Sequence, residues 1–141
     1  MGFGPLTENY RNWRRQATSG YTRSDELRFT GGMVGITAEG LAVPMSHLAP
    51  MRFVGVSTSV SRPGEHRQQV WVDKDGQYIF RAYGFDPQDV HLGCLVYAFS
   101  DWEVCIDKDG LKFATPVGTI QETGSAHGHR GVRIRIDRHT V

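Results

Sequence analysis

From Leu27 onward the chain is built of short apolar runs broken by Gly, Pro, Asp and Ser, and no stretch sustains the 3.6-residue period of an amphipathic helix. This punctuation predicts strands at Leu27–Phe29, Met33–Ile36, Leu41–Pro44, Arg52–Ser57, Gln69–Asp73, Gln77–Ala82, Leu92–Phe99, Trp102–Ile106, Leu111–Ala114, Val117–Gln121 and Val132–Asp137. The last is the clearest. In VRIRID, Val132, Ile134 and Ile136 face one way and Arg133 and Arg135 the other, as a half-buried strand requires. Many short strands at this spacing predict an all-β fold, a small β-barrel or β-sandwich over residues 27–141.

Residues 1–26 are set apart as an extended N-terminal arm, because TENYRNWRRQATSGYTRSDE is polar, with isolated aromatics and no period-2 pattern. Between Tyr10 and Arg23 there are Arg11, Arg14, Arg15 and Arg23 but no acid. Three readings stay open: a loosely attached terminus, a short helix around Glu8–Gln16 packed through Tyr10 and Trp13, and an arm that orders on a partner. Trp, Tyr and Arg are the residue types that concentrate in interface hot spots.

One phrase occurs twice, as VDKDG at Val72–Gly76 and IDKDG at Ile106–Gly110. A calcium loop of the EF-hand type needs Gly at its sixth position and a bidentate Glu at its twelfth. Counting from Asp73 or Asp107, the Gly falls fourth and the twelfth residue is Gly84 or Gly118, so calcium is a poor fit. Asp-Gly between β-rich runs supplies the positive φ of a tight turn, which predicts two β-hairpins with the lysines at their tips. The match fades on both sides, so it does not mark an internal repeat.

Composition narrows the function classes. Hydrophobic residues make up 39% and charged residues 22% of 141, and the net charge is +1, so no global field draws the chain to nucleic acid or an anionic membrane. No apolar run approaches a membrane-spanning helix, and the N-terminus lacks the apolar core of a secretory signal. Cys94 and Cys105 sit among apolar residues and read as buried thiols, with a bridge between them left open.

Candidate chemistry is thin. His127 and His129 form a His-x-His in SAHGHRG, a pattern that binds zinc only with a third ligand from elsewhere; flanking Ser, Gly and Arg make it a solvated turn. Nucleophile elbows, phosphate loops and Cys-x-x-Cys pairs are missing from the sequence. Trp102 and Val104 are expected on the buried face of a strand, with Asp101 and Glu103 facing solvent, and Trp71 is expected in the core. The sequence therefore suggests no catalytic set, no metal and no cofactor.

The order of phrases carries a resemblance. ELRFTGGMVGITAEGLAVPMSHLAPMRFVGVSTS (Glu26–Ser59) is followed by VWVDKDGQYIFRAYG, DVHLGCLVYAFSDWEVCI, PVGTIQE and GVRIRID. Over Glu26–Asp137 this succession resembles the small capsid cement, or head decoration, proteins of tailed bacteriophages. The resemblance implies a β-barrel or β-sandwich subunit, usually a homotrimer and sometimes a dimer, with no active site or cofactor. It implies a virion protein made in the host cytoplasm that binds the outer surface of the mature head where major capsid subunits meet. There it stabilises the head against internal DNA pressure, without contacting nucleic acid or membrane directly. On that reading the arm orders on the capsid, with Tyr10, Trp13 and Tyr21 as apolar anchors and Arg11, Arg14 and Arg15 as its basic groups. Two rivals stand beside it: a carbohydrate- or host-surface-binding β-module using Trp71 and Trp102, and a metal-dependent hydrolase using the His-x-His.

Overall fold

The computed structural model describes residues 18–61, 68–126 and 129–136. The chain is all-β, in two connected parts. Strands β1 (Thr18–Thr22), β2 (Met33–Ile36), β3 (Ala42–Pro44), β4 (Arg52–Val60) and β5 (Gln69–Asp73) form a five-stranded sheet in the order β1-β5-β4-β2-β3. Strands β6 (Gly76–Ala82), β7 (Leu95–Ala98), β8 (Glu103–Cys105), β9 (Pro116–Ala126) and β10 (His129–Ile136) close into a barrel in the order β10-β6-β8-β7-β9. Neighbours run antiparallel except β6 and β8, which are parallel.

Alternation builds both parts. In β10, Val132, Ile134 and Ile136 are buried while Arg133 and Arg135 are exposed, as the sequence predicts. In β5 the inward pair is Val70 and Val72, which turns Trp71 outward. Its expected place in the core is therefore wrong: the strand period fixed the faces and the two valines took the inner one. The sheet has two buried faces. Leu27, Val34, Ala42, Val70 and Val72 form one cluster. Met33, Met45, Phe53 and Val56 join the barrel residues Phe80, Val96, Val104, Val117, Ile120 and the three inward residues of β10 in the larger one.

The sheet's outer strands are brought together just after β1. Arg23 bridges to Ala42 of β3, and the Ser24 N–H donates to the Ala42 carbonyl at 2.8 Å. The Arg23 side chain is buried and lies among neutral oxygens. Its Nε donates to Ser61 Oγ at 3.3 Å, Nη1 to the carbonyls of Ser24 and Leu27 at 3.2 and 3.3 Å, and Nη2 to the Ser61 carbonyl at 3.0 Å. The guanidinium thus ties the turn after β1 to the end of β4 with donors in a fixed fork.

Several expectations change. β1 lies within the stretch assigned to the arm, so residues 18–26 belong to the folded body: each β1 residue pairs with β5, and Leu27 plugs the second cluster. Leu27–Phe29 is not a strand, because Leu27 alone turns in while Phe29 stays exposed. Leu111–Ala114 is not a strand either; the Lys112 and Phe113 N–H groups donate to His47 Nδ1 and the His47 carbonyl.

Neither Asp-Lys-Asp-Gly segment is a hairpin. The first carries the chain from the sheet to the barrel, since β5 and β6 never pair with each other. Gly76 sits there at φ 122°, and Tyr78 Oη donates to Asp73 Oδ2 at 3.0 Å. The second winds into a single 3-10 turn, Lys108–Gly110, capped by Asp107 Oδ1, which accepts from the Asp109 N–H at 2.9 Å.

Candidate functional site

A cleft of about 430 Å³ opens beside β8, lined by residues from four separate stretches. Tyr83 follows β6, and its N–H donates to the Val104 carbonyl at 2.8 Å. Phe99 follows β7, and its N–H donates to the Glu103 carbonyl at 2.9 Å. Both rings are thus held from strand ends on either side of β8, and they stack nearly parallel, 3.7 Å between centroids at 10°. His47, from the loop between β3 and β4, stacks on Phe99 at 4.7 Å and 19°. The result is a column of three rings with Phe99 in the middle. Asp107 and Leu111, on either side of the 3-10 turn, complete the wall with Cys105.

Polar atoms in this wall are partly committed. His47 Nδ1 accepts the Lys112 N–H at 3.2 Å, which puts the proton of the neutral ring on Nε2. Asp107 spends Oδ1 on its cap. Burial raises the pKa of the Cys105 thiol, with the Asp107 charge adding to the shift, and its Sγ–H points to the Asp107 carbonyl at 3.7 Å. The thiol is thus held in its protonated, unreactive form.

Trp102, which is not among the residues lining the cleft, is 40% exposed rather than buried, and the Arg81 guanidinium lies 5.4 Å from its ring. The expected strand-wide alternation fails here because β8 starts only at Glu103, leaving Trp102 in the approach. Asp101 and Glu103 are half-buried instead of facing solvent: Ser100 Oγ donates to Glu103 Oε1 at 3.0 Å, and Arg81 lies 3.8 Å from Oε2. Burial raises the Asp101 pKa above its ordinary value, opposed by a backbone hydrogen bond and helped by the Glu103 charge.

Of the expected arm residues, Tyr10, Arg11, Trp13, Arg14 and Arg15 lie outside the described residues. Tyr21 lies in β1, half-buried against the Leu27 cluster with Lys74 Nζ 5.5 Å from its ring, so it belongs to a strand of the sheet and not to a separate arm. His127 and the side chain of His129 also fall outside the description. Among the described residues no group of three or more His, Cys, Asp or Glu could hold a metal ion. No helix among them is long and apolar enough to cross a membrane.

Sequence reasoning missed the ring column because its members, at 47, 83 and 99, share no element and no period. The available signal was local: Tyr83 and Phe99 each sit at the end of an apolar run, against Gly84 and Ser100. Comparison with protein-family models, with curated proteins and with solved structures finds no match.

Proposed function

We propose that this chain is a structural decoration protein of a phage capsid, binding the outside of the mature head where major capsid subunits meet and stabilising it against internal DNA pressure. It does so as a non-enzymatic subunit, in contact with the major capsid protein and with further copies of itself, as a trimer or dimer. The observation that supports this reading best is the segment leading into β7. Val90, Leu92 and Leu95 are 77, 47 and 42% exposed within six residues. Large apolar side chains left together on a surface mark a protein contact more often than bare surface. The β-body behind them, with strands fixed by two shared cores, gives the rigid backing a subunit needs to bridge its neighbours. Binding only the expanded lattice would stabilise it by mass action, and several linked copies would add avidity.

The test is co-sedimentation of the purified chain with expanded capsids of its source virus. The full chain is expected to saturate the particles at a fixed ratio. Exchanging Val90→Asp together with Leu92→Asp is expected to weaken binding at least ~10-fold. A version lacking residues 1–17 leaves β1 whole and so isolates the contribution of Tyr10, Trp13 and their basic neighbours. Trp13→Ala is expected to cost at least ~2 kcal/mol per subunit. A full chain that stays in the supernatant ends the proposal.

A further inference from the structure

We infer that the cleft beside β8 binds a neutral pyranose sugar, with Tyr83 as the stacking platform and Asp107 and His47 as its hydrogen-bonding groups. The site goes beyond the capsid reading and does not depend on it. Three observations converge. First, its volume of about 430 Å³ lies within the roughly 300–1,000 Å³ of small-molecule clefts. Second, the ring column ends on Tyr83, which is 45% exposed and has Phe99 as its one ring partner among the described residues. An apolar ring face open at the mouth of a cleft offers the C–H face of a sugar a surface to lie on.

Third, two polar atoms in the wall are unspent. Among the described residues Asp107 Oδ2 has no donor and His47 Nε2–H has no acceptor. One is an acceptor and the other a donor. A sugar hydroxyl both donates and accepts, so a polyol can satisfy the two at once. A guanidinium or ammonium group could pair with Asp107 but cannot accept from His47. A wholly apolar ligand would strip water from both and replace neither bond, at the cost of an unsatisfied polar group. The cleft therefore selects a neutral polyol with one apolar face. Leu111 and the protonated Cys105 thiol supply further wall without adding charge.

Amide NMR titration of the full chain with methyl glucoside, methyl galactoside and methyl mannoside tests this, with arginine amide as the cationic competitor. At least one glycoside is expected to give saturable shifts centred on His47, Tyr83, Phe99 and the Cys105–Leu111 stretch. Tyr83→Ala is expected to weaken that binding by about tenfold or more. Asp107→Asn keeps an effective cap for the 3-10 turn while removing the carboxylate, and is expected to weaken it by a similar factor. Trp102→Ala, at an exposed ring outside the cleft's lining, is expected to leave affinity within about twofold. Shifts that never saturate, saturation by arginine amide alone, or sugar binding untouched by both Tyr83→Ala and Asp107→Asn would each overturn the assignment.

Discussion

The sheet and the barrel each hold five strands, yet they close in different ways. In the barrel every strand has two hydrogen-bonded neighbours, so closure is main-chain work spread over the whole ring. In the sheet, among the described residues, the outer strands are joined by a single main-chain bridge, Arg23 to Ala42, with the Arg23 guanidinium bracing the turn that carries it. One closure is redundant; the other rests on one residue. Barrels remove sheet edges by pairing them; here one main-chain bridge does so at a single point, and the buried guanidinium braces the turn that carries it against Ser61.

The sharpest way to break the comparison is Arg23→Met. Several buried carbonyl and hydroxyl oxygens lose a charged donor, which is expected to cost at least ~2 kcal/mol. The effect should be local as well as large. Hydrogen exchange is expected to accelerate in β1, β5 and the end of β4, which meet at Ser61, while β9 and β10 stay protected. Uniform acceleration across both parts would show that the sheet's closure is shared with the barrel.

The corner between the two parts comes next. Gly76 holds φ 122°, and a Cβ there would meet the Tyr78 ring at 3.3 Å, so Gly76→Ala is expected to cost about 1–3 kcal/mol. Gly110, in the second Asp-Lys-Asp-Gly, has open space around it, and Gly110→Ala is expected to change stability by no more than ~0.5 kcal/mol. Urea denaturation of the pair would separate them. Tyr78→Phe removes the hydroxyl that spans the corner to Asp73 and is expected to cost about 0.5–1.5 kcal/mol. Burial, the Asp73 hydrogen bond and the charges of Asp73 and Asp75 all raise this hydroxyl's pKa, so it stays protonated and the bond is expected to persist into alkaline solution.

The smallest effect is expected at Asp101. Its folded pKa is raised above 3.8, so the ionised carboxylate is disfavoured in the folded chain. The stability tied to its protonated form is full below 3.8 and lost as pH rises through the folded value. Asp101→Asn should therefore stabilise the protein at neutral pH, within about 0.5 kcal/mol, and the gain should vanish in acid. Thermal melts across pH would show it, and a gain that persists in acid would assign the effect to packing.

The sequence exposes this architecture unevenly. β5 is legible to the residue, and so is the inward face of β10, because alternation reports a face directly; β2 matches in extent although three of its four residues are buried, and β10 begins three residues earlier than expected. The repeated Asp-Lys-Asp-Gly misleads because a tetrapeptide specifies a change of direction, not which strands pair across it. The first becomes a crossing between layers and the second a 3-10 turn, according to what each flank packs on. Arg23 reads as one more surface cation in a polar stretch; only the fold reveals the ring of oxygens it serves. The aromatic cleft is invisible for a similar reason, since its rings meet through tertiary packing alone.

β1 also has a mechanical consequence. It joins the body to residues 1–17, so any tension along that part of the chain enters through its five pairs with β5. Those hydrogen bonds lie across the strand, and a pull along it loads them together, in shear, instead of one after another. At the far end of the strand sits the Arg23 guanidinium, clamped to Ser61 and Leu27, which stops the strand from sliding. The residue that closes the sheet at rest is therefore the rivet that holds it under load.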